Sequence, residues 1–274
     1  ETPFRPARRT EKPSIEGPQT AVVTGPSGEE IHPDPHGRIK IRFLWDRVSA
    51  ADERSSPWVR VQHAWAGAGW GTLFTPRIGM EVVVQFVDGD PDRPLVTGCV
   101  YNADNALPYP LPDEKTKSTI KSNSSIGGDG FNEFRFEDKD GEEEIYTHAQ
   151  RDYNEHVENC HSLKVGNSET LNVAVNQYQA IGNNQTELIG ANQSLSVGAN
   201  QTISVGANLD ESVSGSETRT VSGAMTETID GAATVTINGG LTSTVNAGAT
   251  TTVNGGSTST INGGSTTKIV GGLI

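Results

Sequence analysis

Asp88, Asp90 and Asp92 stand at alternate positions, the spacing with which a calcium-binding loop begins. The sixth place of such a loop is Arg93 rather than Gly and the twelfth is Cys99 rather than Glu, so the segment reads as a proline-containing hairpin turn. Glu137, Asp138, Asp140, Glu142, Glu143 and Glu144 crowd around Asp140-Gly141, a dipeptide that predicts a type I′ hairpin, and read as a solvated turn rather than a metal site. His148, His156 and His161 lie near Cys160, and three-fold symmetry could gather them around a metal. They lack the closely spaced ligand pattern of a zinc site, and Cys160 is expected to be a free, packed thiol. Ser, His and Asp are all present, yet there is no GxSxG elbow and no glycine loop with a lysine after a strand. No residue is assigned to catalysis, to a cofactor or to a metal, and enzyme activity is not expected.

The elements that would position any of these residues are set by composition. The 274 residues carry 21 Lys plus Arg against 34 Asp plus Glu, a net charge of −13, which disfavours a nucleic-acid partner. Apolar residues make up 33% and aromatics 6%, too few for one large conventional core. The two cysteines provide no disulfide framework, and no apolar run approaches the ~18 residues a membrane span requires. The opening residues ETPFRPARRT show neither a leader pattern nor an initiator Met, which leaves room for a fragment of a longer chain. All 4 Trp, 7 Phe, 6 His and 14 Pro lie before residue 165. From Val165 onward the only aromatic is Tyr178, and the charges reduce to Arg219 and Lys268 against seven acids.

That tail is periodic rather than disordered. Steps of eight give Val165, Val173, Ile181, Ile189, Val197, Val205, Val213, Val221, Ile229, Ile237, Val245, Val253, Ile261 and Ile269, all β-branched and apolar. Side chains of this shape suit a pleated, buried surface, so each octad is expected to supply a short strand and a turn. Glycine follows the beat by one residue from Gly166 to Gly206 and by two from Gly215 onward, and Asn recurs beside it. Both residue types suggest corners at positive φ, or, for glycine, a close backbone approach. The place two residues earlier falls on the same face and is apolar in Leu163, Leu171, Leu195, Ile203 and Val235 but polar in Glu187, Glu211, Arg219, Ser243 and Thr251. One dependable apolar position per octad is too little to order such a tail alone, which points to three chains wound about a common axis; a single-chain triangular solenoid also satisfies the period. At ~4.8 Å per stacked strand, fourteen octads would extend about 65–70 Å.

Ahead of the tail, alternating runs at 21–25, 37–45, 58–65, 79–87 and 95–102 predict five strands with Gly and Pro turns, which suits a small OB-type barrel. Trp45, Trp58, Trp65 and Trp70 could form a stacking platform for sugars or bases, but without a basic stripe they read as core or intersubunit packing.

The stretches PHGRIKIRFLWDR (35–47) and SSPWVRVQHAWAGAGWGTLFTPRIGMEVVVQFVDGDPDRPLVTGCVYN (55–102) resemble the OB domain of the VgrG family, the spike proteins of type VI secretion, and more distantly the central spikes of contractile phage tails. Residues 127–159 are similar to the family's neck, and the octads to its needle. The resemblance covers roughly residues 20–274. It implies an all-β fold: a Pro-rich linker at 1–19, an OB barrel at 20–105, a linker at 106–126, a neck at 127–164 and an octad-repeat, intertwined three-stranded β-helix needle at 165–274. It also implies a homotrimer with the fourteen Val and Ile filling its axis, and a PAAR-repeat tip protein docked on Gly271, Gly272, Leu273 and Ile274. Effectors would ride along, and the target membrane would be met transiently. Such chains assemble in the bacterial cytoplasm and are translocated to the extracellular space or the target cell.

The family's hub domain, which contacts the secretion tube and baseplate, has no counterpart in this sequence. The stretch from Ala103 to about Ser125, stiffened by Pro108, Pro110 and Pro112, is too short for the lysozyme domain of some phage relatives. No His follows His161, so the iron-binding tip of some phage needles is not expected, and neither is an appended effector enzyme.

Overall fold

The computed structural model describes residues 3–7, 9–247, 250, 252 and 254, and the chain divides into two units, Glu1–Asn172 and Val173–Ile274. In the first unit, alternation of small β-branched residues with polar ones produces strands β1 (Gln19–Thr24), β2 (Lys40–Phe43), β3 (Arg60–Val61), β4 (Glu81–Phe86) and β5 (Pro94–Val100). They form one sheet in the order β2-β1-β4-β5-β3, antiparallel except where β3 runs parallel to β5. An antiparallel bridge between Ile39 and Val59 joins the two sheet edges, so the sheet curls into a small barrel with no open edge at that point. A bulge opposite Val83 and Val84, where the partner steps from Gly98 to Val96, supplies part of the bend.

The strands bury every second side chain. Ala21 and Val23, Ile39 and Ile41, Val82 and Val84, with Val59 and Val96, form a core whose members other than Ala21 are β-branched, and Phe43, Val61, Met80 and Phe86 pack around it. None of the four tryptophans belongs to that core, which corrects the core-packing alternative. Trp45, Trp65 and Trp70 are 62%, 63% and 58% exposed. The barrel is too narrow to hold an indole among eight close-packed residues, so Trp45 stacks outside on Phe43, and Trp65 meets Trp70 edge-on across a short hairpin.

A second sheet follows, β6 (Lys117–Lys121), β7 (Glu133–Glu137) and β8 (Glu144–His148), antiparallel in sequence order. β6 lies within the stretch 106–126 read as linker. The turn between β7 and β8 departs from the expected type I′. Gly141 adopts φ 78 while Asp140 keeps a negative φ, and Glu142 N donates to Lys139 O. Six residues connect these strands, from 138 to 143, so the turn is free of the twist constraint that selects I′ in a two-residue loop.

Candidate functional site

The three-stranded sheet is turned inside out. On β7, Glu133, Arg135 and Glu137 share one face, and it is the polar face that is covered. Glu133 is 4% exposed and accepts hydrogen bonds from the Tyr109 hydroxyl at 2.5 Å and the Thr119 hydroxyl at 2.8 Å. Burial presses its carboxyl toward protonation, but these donors outweigh it and hold Glu133 below the usual carboxylate range. Arg135 donates to the Tyr109 hydroxyl and to Glu144 and lies over the Tyr146 ring at 4.4 Å. The opposite face carries Ile120, Phe134, Phe136 and Ile145, all exposed, with the two Phe rings 5.0 Å apart. An apolar sheet face left open opposite a covered polar one is a surface awaiting a partner.

Beyond β8 the chain repeats one local conformation. A two-residue bend recurs at 150–151, 158–159, 166–167 and at every eighth residue thereafter to 246–247. The Val or Ile of each octad stands immediately before its bend. From Val165 to Ile237 these side chains are 44% to 52% exposed, whereas leucines elsewhere in the tail range from 67% at Leu163 to 92% at Leu188. The bend half-covers the octad side chain even in a lone chain. Val157, 45% exposed and preceding the bend at 158–159, belongs to the same series. Sequence reading missed it, although one further step of eight back from Val165 reaches it; the charged setting of RDYNEHVENC hides the beat. Val253, Ile261, Ile269 and the tip residues Gly271, Gly272, Leu273 and Ile274 lie outside the described residues.

Among the described residues, the strands end at His148, and no backbone-to-backbone hydrogen bond lies beyond them. About a hundred residues of regular, extended backbone thus leave their N–H and C=O groups without partners in the chain. Buried backbone groups are almost always paired, so regularity of this kind has to be completed by other chains or by water. A single-chain solenoid would stack its own coils through such bonds, and the described tail makes none.

The tail glycines do not turn their corners at positive φ. Among the described residues, no tail glycine adopts positive φ, and Asp88 is the only non-glycine residue that does, so the tail Asn residues do not either. A Cβ at any tail glycine from Gly166 to Gly240 would meet nothing of this chain within 4 Å. Both places where glycine falls, one or two residues after the apolar position, lie within the same bend, so the change of spacing after Val213 leaves the octad intact.

The residues singled out for chemistry are committed to structural contacts. Lys12 binds Asp90 at 2.6 Å and Asp92 at 3.4 Å, while Arg93 binds Asp88 at 2.8 Å, so the three carboxylates do not converge. Asp88 sits at φ 57 in the short 3-10 turn Val87–Gly89. His148 stacks on Phe131 with Nδ1 3.0 Å from its carbonyl oxygen, His156 pairs with Glu158, and His161 with Glu155. Cys160 is free but exposed rather than packed, because the tail around it has no core to enter. A concavity of 510 Å³ between β6, β7 and residues 147–154 is an open groove lined by Ile120 and Phe134 as well as by Glu133 and His148, both of which are already engaged. Among the described residues, no three His, Cys, Asp or Glu side chains are grouped to hold a metal within one chain.

A closed five-stranded barrel, an open apolar sheet and an unpaired octad strip, in that order along the sequence, make the chain an all-β protein of barrel-and-repeat layout. The family model of the type VI secretion system/phage-baseplate injector OB domain matches residues 20–101, and that of the bacteriophage T4 gp5 C-terminal trimerisation domain matches residues 118–229. The fold class is therefore an OB-type barrel followed by a gp5-type trimeric β-helix. Among curated proteins of Pseudomonas aeruginosa, the type VI secretion system spike protein VgrG4b is 55% identical over 156 residues, covering 57% of this chain and 19% of that protein. VgrG5 is 53% identical over 156 residues, 57% of this chain and 20% of its own length. VgrG1a is 54% identical over 162 residues, 58% of this chain and 25% of its own. The resemblance to VgrG spike proteins holds, and the chain spans between 19% and 25% of the length of these relatives.

Proposed function

We propose that the chain is the barrel-and-needle part of a homotrimeric, envelope-puncturing spike of a type VI secretion system. The observation that carries this reading is the octad strip: a strictly repeating extended backbone with no hydrogen-bond partner in its own chain and one half-covered Val or Ile per octad. Three such strips wound together pair their backbones with one another and bring the octad side chains, Val165 through Ile269, onto a common axis. The open face of Ile120, Phe134, Phe136 and Ile145 gives the neck a second apolar contact at the start of the segment matched to a trimerisation domain.

The role is mechanical, and no residue needs to act as acid, base or nucleophile. An external contractile sheath supplies force. The barrel transmits it to a rod clothed in Thr, Ser and Asn that offers the membrane no large apolar patch. The hub of a full-length spike would join the rod to the tube and baseplate, and a PAAR-repeat protein on Gly271 to Ile274 would sharpen the tip. Effectors would travel with it from the bacterial cytoplasm to the extracellular space or the target cell. The names of the relatives favour secretion over a phage tail.

Light scattering on the full chain tests the reading. A mass of three times 29.1 kDa, with tail amides slow to exchange, is expected. A monomer with fast-exchanging tail amides would sink it.

A further inference from the structure

An octad strip carries an assembly problem in its own regularity. Its apolar side chains recur every eight residues in one local conformation, so a chain that slips by eight residues against its partners presents an identical apolar face. Sheets with one patterned face resist a one-residue slip, but nothing in that pattern resists a slip by a whole repeat.

The column two residues before each octad side chain breaks the monotony. It reads Glu187, Leu195, Ile203, Glu211, Arg219, Glu227, Val235. Its apolar members are open in the lone chain, at 72% for Leu195 and Ile203 and 82% for Val235. In extended backbone this column returns to the face of the octad residue. Arg219 is the only cation in the described part of the second unit, and carboxylates one octad away stand on both sides of it. Among the described residues, the ion pairs of the chain end at His161, and Glu211, Arg219 and Glu227 have no partner among those residues.

We infer that Glu211, Arg219 and Glu227 form a register lock between copies of this chain. The inference rests on the trimer proposed above. When three strips wind together, strands stacked along one face of the rod come from successive copies, about 4.8 Å apart. In register, each Arg219 lies between Glu211 of one copy and Glu227 of another. Slipping one copy by an octad places its Glu227 between Glu211 and Glu227 of the others. Its own Arg219 then stacks against Ile203 and another Arg219, or, in the opposite sense, against Arg219 and Val235. Opposite-charge neighbours are replaced by like-charge or apolar ones, which selects one register in the way that single polar positions do in coiled coils.

The test uses the full chain with Cys99→Ser and Cys160→Ser and a spin label at Ser243→Cys, read by pulsed dipolar distances and by melting. The parent is expected to be a trimer with one distance population. Arg219→Glu is expected to add further distance populations, because copies slipped by an octad no longer hold their labels at one height, and to lower Tm by roughly 3 °C or more. If Arg219→Glu prevents assembly altogether, the triple exchange Glu211→Arg, Arg219→Glu, Glu227→Arg restores the trimer and its single population, because it keeps the alternation with signs reversed. An Arg219→Glu trimer with one unshifted population and unchanged Tm would overturn the lock, as would a triple exchange that fails to restore it. A monomeric parent is a separate result and overturns the trimer itself.

Discussion

Glu30 and Gly127, 97 positions apart in the chain, are joined by a 2.8 Å hydrogen bond from the Gly127 backbone N–H to the Glu30 carboxylate. Arg77, within 4.0 Å of Glu30, donates to the Asn123 carbonyl at 2.8 Å. Two barrel side chains thus hold the loop that leads into β7. The Gly127 N–H, with the Ser125 hydroxyl, keeps Glu30 below the usual carboxylate range. In the spike proposed above, this contact would lie on the path of load from barrel to neck. Glu30→Ala is expected to raise amide exchange at Gly127 by on the order of 5-fold without altering the exchange of β1 or β4. Equal rates in both proteins would show that the contact restrains nothing.

Val157 extends the octad series by one step, so in the proposed trimer it should answer to charge as the later members are expected to. Val157→Asp, Val205→Asp and Ile237→Asp are each expected to weaken the trimer, since three uncompensated carboxylates would converge on a dry axis at about 3–5 kcal/mol each. Leu188→Asp, one residue off the axial position and 92% exposed, is expected to leave the trimer intact. Sedimentation of the four variants decides it: an unchanged trimer in the first three would remove the axial assignment.

The barrel's stability resides in its small core. Ile41, 1% exposed among close-packed valines, is expected to cost 2–5 kcal/mol when cut to Ala, as buried isoleucines do. Val48, 96% exposed, should change stability by less than about 0.5 kcal/mol. Denaturant melts of both variants would show a misplaced core if the two effects were alike.

Asp46 sits below an ordinary aspartate, at about 2, because the Ser49 hydroxyl and the backbone N–H groups of Ser49 and Val48 all donate to it. Asp34 is also held at about 2: burial works against ionisation, but Arg38 and the backbone N–H groups of Arg38 and His36 prevail. A carboxyl depressed in the folded state stabilises it above the ordinary value of 3.8 and loses that contribution as pH falls toward 2. The melting temperature of the barrel should therefore be flat from neutrality to about pH 5 and fall below about pH 4, less steeply in Asp46→Asn. The same slope in both proteins would remove Asp46 from the account.

Much of this protein is legible in its residues because both its main patterns are local. A period of two in AVVTG and EVVVQF specifies which side chains line a barrel, and a period of eight specifies which line a strip; each needs only neighbours along the chain. Val157 was open to the same count. The β6 strand KSTIK was harder to see, since two lysines and a run of prolines mask a short alternation that a partner strand completes.

Alternation says which side chains share a face, but not which face is covered. In β7 the covered face is the polar one, because Tyr109 arrives from the preceding segment to bond Glu133 and Arg135, and Phe134 and Phe136 are left outside. The tryptophans, the most hydrophobic-looking residues of the barrel, lie outside a core that has room only for Val, Ile and Ala. Glycine spacing marked the bends correctly while the expected backbone conformation proved wrong, since a bend in extended chain can be made at negative φ. The sequence by itself determined the barrel's main strands, the octad period and the residues that keep it, which depend on local periodicity. Only the tertiary structure decided which faces were left open and which backbone groups unpaired, because both depend on what the rest of the chain brings against them.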